Sequence, residues 1–98
     1  MEPLAHNPVA AGIGAQVIAN GVRGLAGGTT ASAAVTALAP AGADEVSALA
    51  AASFAAEGVQ ALELNTIAQE EIARAGAAYV ESSALYIATD EATATTLL

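Results

Sequence analysis

The stretch Pro40-Ala41-Gly42-Ala43-Asp44-Glu45-Val46-Ser47 limits this chain to a narrow set of folds. Proline cannot continue a helix, glycine loosens the backbone, and aspartate caps the free N–H groups of a new helix. The run before it is built of alanine, glycine and small aliphatics with almost no charge; the run after it is helical in character and carries most of the acid. The stretch therefore reads as the bend of a helical hairpin, and the fold class as all-α.

Asn7-Pro8 opens the first arm, with Asn as cap and Pro at the first helical position. The pattern predicts helix one over about 8–38, a turn over 39–43, helix two over about 44–90 and a tail over 91–98, all within a single domain. In helix one, Val9, Ile13 and Val17 step by four, and Ile18, Val22 and Leu25 by four and three; Val35 and Leu38 follow. These residues make a broad apolar surface, not a narrow stripe. Gly12, Gly14, Gly21, Gly24, Gly27 and Gly28 fall inside the same helix. Each costs roughly 1 kcal/mol against alanine in an exposed helix interior, so close approach of another helix is expected to offset them. Gly27-Gly28-Thr29-Thr30 is the place where a bend is expected.

Asp44 is placed to cap helix two and Glu45 to complement its dipole, but Ser47 stands where a capping box has Glu or Gln. Glu57, Gln60, Glu63, Glu70, Glu71, Arg74 and Glu81 mark one polar face; Phe54, Gly58, Leu62, Ile72, Gly76 and Tyr79 lie largely on another. Glu70 and Arg74 are spaced for an i,i+4 ion pair. The Thr- and Ala-rich tail from Glu91 onward is expected to fray in isolation.

How such arms bury their apolar faces is the central problem. The hydrophobic fraction is 55%, yet most of it is alanine, with one Phe, two Tyr and no Trp in 98 residues. A core of alanine removes little area from water, and short chains with thin cores need a disulfide, a metal or a partner. With no Cys, the partner is the leading option. Two helices share only one seam, and helix one is apolar on more than one side. The chain reads as half of a four-helix bundle. Ile13, Val17, Leu25, Val35, Leu38, Val46, Phe54, Leu62, Ile72 and Tyr79 are expected to bury most apolar area, within the hairpin or against a partner.

Charge and motifs exclude several other functions. A net charge of -8, with Arg23 and Arg74 as the only basic side chains besides His6, disfavours nucleic acid and anionic membranes. Residues 24–43 carry no charge and could span a bilayer by length, but Thr29, Thr30, Ser32, Thr36 and Pro40 argue against insertion. Glu2 stands where a cleaved signal peptide needs a basic region. His6 is the only histidine and reads as a solvated side chain; no zinc site and no cofactor are expected. Gly12-Ile13-Gly14 lacks the strand and third glycine of a dinucleotide loop, and Gly24 to Gly28 holds an unspecific GxxxG. Glu63, Glu70, Glu71 and Glu81 lack the Glu-x-x-His motif of di-metal bundles. No histidine is expected to activate a Ser or Thr, so no enzyme is expected. Tyr86 and Asp90, spaced i,i+4, form either an aromatic-plus-acid epitope or a tyrosine packed on the bundle end beside an incidental acid.

Three features together resemble the mycobacterial PE proteins. Asn7-Pro8 sits where that family places its Pro-Glu signature, although Val9 replaces the Glu. Pro40 to Ser47 is similar to the family's inter-helix turn, and Tyr86-Ile87-Ala88-Thr89-Asp90 fits its Tyr-x-x-x-Asp/Glu export signal. The resemblance spans essentially the whole chain, and its opening and turn are most similar to a short member of the family at the first ESX locus. It implies an antiparallel hairpin that completes a four-helix bundle with a PPE protein and is exported folded by type VII (ESX) secretion. It further implies that an EspG-type chaperone binds through the PPE subunit, and that the ESX machinery reads Tyr86 and Asp90. Two other readings stay open on the residues alone: a self-associating homodimeric bundle and a membrane-active helical peptide.

Overall fold

A computed structural model of the chain describes residues 5–97, all of it helix, turn or short connection. A single 3₁₀ turn, Pro8–Ala10, leads into α1, Ala11–Thr36, and a bend leads into α2, Glu45–Leu97. The chain is an all-α helical hairpin.

Local chemistry fixes each boundary. Asn7 is extended, and its side chain accepts a 3.0 Å hydrogen bond from the Val9 N–H. Its carbonyl accepts from the Ala10 N–H at 2.9 Å, which tightens the first turn. At the bend, Asp44 accepts from the Ser47 N–H at 3.1 Å and from the Ser47 hydroxyl at 2.7 Å. Ser47 thus supports the cap by donating to it, where a capping-box Glu would instead reach back to the cap's own N–H. Gly42 lies close against the cap: a Cβ there would lie 2.8 Å from Asp44 Oδ1, and its φ is not positive.

α1 runs through Gly27-Gly28-Thr29-Thr30 as continuous α-helix. The Thr29 and Thr30 hydroxyls donate to the Leu25 and Ala26 carbonyls, 3.0 Å each, so these polar side chains are satisfied within their own helix. α2 continues to Leu97 instead of fraying after Asp90. No Gly or Pro follows Gly76 to stop it, and Thr95 and Thr96 bond back to the carbonyls of Ala92 and Thr93.

The contacts divide the chain into two compact units. In the first, residues 1–21 with 71–98, of which 5–21 and 71–97 are described, α1 meets α2 backbone to backbone. A Cβ on Gly14 would lie 2.8 Å from the Gly76 carbonyl oxygen and 2.7 Å from Val80 Cγ2. A Cβ on Gly76 would lie 2.7 Å from the Gly14 oxygen and 2.9 Å from the Ile18 nitrogen. At that level the seam is filled by backbone and by the Ile18 and Val80 side chains, so neither glycine can take a side chain.

In the second unit, residues 22–70, Gly24 faces Gln69, Gly28 faces Asn65, and Val35 seats on Gly58. Numbers rise along one helix as they fall along the other, so the arms are antiparallel. Asn65 Nδ2 donates to the Gly24 carbonyl at 3.3 Å, and Gln69 Nε2 donates to Asn65 Oδ1 at 3.2 Å. This polar pair occupies space that glycines leave open on the facing helix.

The buried residues of the described chain are Gly14, Gly21, Gly58, Gly76 and Ser83. No hydrophobic side chain is among them. Gly14, Gly21 and Gly28 recur every seven residues, as do Gly58 with Asn65 and Gly76 with Ser83. A seven-residue spacing keeps positions on one side of a helix, so each of these sets lies on one face of its own helix.

Two predictions follow from seam and cap. Gly76→Ala should lower the helical melting temperature although alanine is the better helix former, whereas Gly12→Ala and Gly27→Ala, which point into open space, should each gain up to about 1 kcal/mol. Equal gains at all three positions, read by circular dichroism on the chain alone, would refute the close seam. The Ser47 hydroxyl and N–H hold the Asp44 carboxyl below its ordinary value of 3.8. A depressed folded pKa gives stability that is fully present above the ordinary value and is lost as pH falls through the folded one. Asp44→Asn should keep the cap but flatten that acid limb in melting curves measured from neutral pH downward.

Candidate functional site

In the second unit the large apolar side chains gather on the outside. Leu38, Val46 and Phe54 line one concavity with Ala39, Pro40, Ala41, Ala50 and Ala51 around the bend. Val46 is 74% exposed and Phe54 55%. Val35 and Leu62 line a second concavity with Gly28, Ala31 and Gly58. Leu25 and Leu62 are half-buried. Leu49, Val59, Leu64 and Ile67 are also exposed and were missed by the sequence reading. They fall between the apolar positions chosen there, on a helix whose apolar residues are spread around its circumference.

In the first unit, Ile13, Ile72 and Tyr79 are exposed and Val17 is half-buried. None of the ten residues expected to bury area is buried by this chain alone. An extended outward apolar surface of this kind is the mark of an interaction site.

The end of α2 carries a second arrangement. Tyr86 is 58% exposed, and Asp90 is exposed one helical turn beyond it. His6 stacks on the Tyr86 ring, with centroids 5.2 Å apart and planes 19° from parallel. His6 Nε2 also lies 2.9 Å from Ser83 Oγ, within hydrogen-bonding distance. Ser83 is only 2% exposed. His6, Tyr79, Ser82, Ser83 and Tyr86 line one cleft. This corrects the expectation of a solvated His6 and of a chain with no histidine beside a hydroxyl. The contact joins residues 77 positions apart, so no local spacing could have signalled it. A Ser–His pair is the raw material of a nucleophile, but here the hydroxyl is sealed beneath the ring, which makes it a clasp.

Arg74 pairs with Glu71 at i,i+3, not with Glu70 as the spacing suggested, and both partners are exposed. Such pairs contribute little in water. Among the described residues, no group of three or more His, Asp or Glu side chains is placed to hold a metal ion, and no helix is long and apolar enough to cross a membrane.

These features define an all-helical hairpin whose arms approach closely at glycines and most of whose large apolar side chains stay exposed. The chain belongs to the PE family, whose pattern matches residues 4–93. It is 66% identical over 97 residues to the "Uncharacterized PE family protein PE35" of Mycolicibacterium smegmatis, covering 99% of this chain and 100% of that one. It is 47% identical over 94 residues to the "PE family immunomodulator PE35" of Mycobacterium tuberculosis H37Rv, covering 96% of this chain and 95% of that one. No solved structure matches it.

Proposed function

We propose that the chain is the non-enzymatic PE subunit of a PE–PPE heterodimer that is exported by type VII (ESX) secretion. The observation that carries this reading is the inverted distribution of apolar groups: no described hydrophobic side chain is buried, while large ones are exposed in both units. Two helices of a PPE protein laid against those side chains complete a four-helix bundle. Ile13, Val17, Leu25, Val35, Leu38, Val46, Phe54, Leu62, Ile72 and Tyr79 form the contact surface in this reading. An EspG-type chaperone acts through the PPE subunit while the pair is cytoplasmic. Tyr86 and Asp90 form the export signal, and the exported pair reaches the cell surface or the medium.

Burial of a side chain of phenylalanine or leucine size contributes about 1.5–3 kcal/mol, and an unpaired carboxylate in its place adds a desolvation penalty. Phe54→Asp or Leu62→Asp should therefore weaken the heterodimer by about 3 kcal/mol or more, roughly two orders of magnitude in Kd. Copurification of either variant with the PPE protein at wild-type yield would contradict the bundle. Tyr86→Ala and Asp90→Ala should each abolish appearance in culture filtrate while the heterodimer still assembles in the cell; normal export of either would remove the signal from the reading. The same outward faces also permit a homodimer. Light scattering on the chain expressed alone separates the two, since a stable, well-folded dimer would favour self-association.

A further inference from the structure

We propose that the segment before α1 is a clasp on the end of α2 and that His6 is a positioning residue for Tyr86. The inference rests on the reading of Tyr86 and Asp90 as the export signal. Its evidence is geometric. One imidazole makes two different contacts: its Nε2 is anchored on the buried Ser83 hydroxyl, and its face lies on the Tyr86 ring. The bond fixes where the imidazole sits, and the stack fixes the plane it presents. Ser83 precedes Tyr86 by three residues, so both lie on the same stripe of α2. Tyr79, one further turn back, lines the same cleft.

The clasp leaves Tyr86 available. The ring keeps 58% exposure and also lines an outward groove with Ser82, Leu85 and Thr89, the last adjoining exposed Asp90. One side of the phenol is thus engaged by this chain's own histidine, while another faces a reader. A tyrosine already held in one orientation loses less side-chain freedom when bound. Immobilising such a side chain in advance strengthens recognition by roughly 2- to 10-fold. His6 thereby acts on recognition through Tyr86.

The test compares Tyr86→Ala, His6→Ala, His6→Phe and Ser83→Ala of the full chain, expressed in a secreting mycobacterial host. Export into culture filtrate is measured against intracellular heterodimer. The Tyr86 ring resonances of the heterodimer are followed by NMR, and Tyr79→Phe assigns them. The expected result is loss of export for Tyr86→Ala and a roughly 2- to 10-fold drop for His6→Ala at unchanged heterodimer yield. The Tyr86 ring resonances should lose their imidazole ring-current shift in His6→Ala. His6→Phe, which keeps an aromatic ring on Tyr86 without the Ser83 bond, should restore most of the export. Ser83→Ala should fall between His6→Ala and wild type.

If Tyr86→Ala is not exported but His6→Ala is exported like wild type, the positioning role is overturned and the signal reading survives. Unchanged Tyr86 resonances in His6→Ala overturn the clasp itself. Failure of His6→Phe to recover export overturns stacking as the means of positioning. If Tyr86→Ala is exported normally, the signal reading falls and the positioning role with it.

Discussion

Gly14 and Gly76 bring two helix backbones to a separation at which a single methyl group on either one would collide with the carbonyl oxygen of the other. Such contact puts many atoms within dispersion range, with the Ile18 and Val80 side chains packed against the two glycines. Ile13, Phe54 and Tyr79 stand outside the seam. In an ordinary two-helix pair, leucines and isoleucines meet across the interface and the outer faces are polar. This chain reverses that arrangement in part and leaves most of its large apolar side chains exposed.

Between Gly24 and Gly28 on α1 and Asn65 and Gln69 on α2, the seam is polar. A side chain at Gly24 would overlap the Gln69 amide, and one at Gly28 would overlap Asn65. The two amides need the glycines for space, and the Gly24 carbonyl receives a second partner from Asn65 in addition to its place in the helix. Sliding the helices within this unit by one turn would leave both amides without their cavities. A glycine seam alone is smooth and would tolerate such slippage; the amide layer supplies the registration that small residues lack.

The sequence disclosed the elements whose cause is local. Asn7-Pro8 and Asp44 cap their helices through side chains two or three residues away, and Pro40 with Gly42 marks the bend. The glycines were legible as sites of close approach, but not as a heptad, because the apolar residues drew the periodicity toward the wrong face. Gly14, Gly21 and Gly28 at seven-residue spacing were the available signal. The Glu71–Arg74 pair shows the limit of spacing rules, since i,i+3 and i,i+4 are both within reach of an arginine. The clasp of His6 on Ser83 and Tyr86 had no sequence signature, being a contact between the two ends of the described chain.

The composition, apparently contradictory for a small domain, follows from this division of labour between residue sizes. Glycine serves the close approach within the hairpin, while most of the valine, leucine, isoleucine and phenylalanine stays on outer faces, where burial against another chain would remove apolar area from water. A chain built this way exposes apolar surface, and the net charge of -8 offsets that exposure by mutual repulsion between copies. The same charge disfavours self-pairing of two acidic hairpins and leaves pairing with a less acidic chain unopposed. Small residues at the close contacts, exposed large residues and an excess of negative charge thus act in one direction, toward the pairing with another protein that is proposed for this chain.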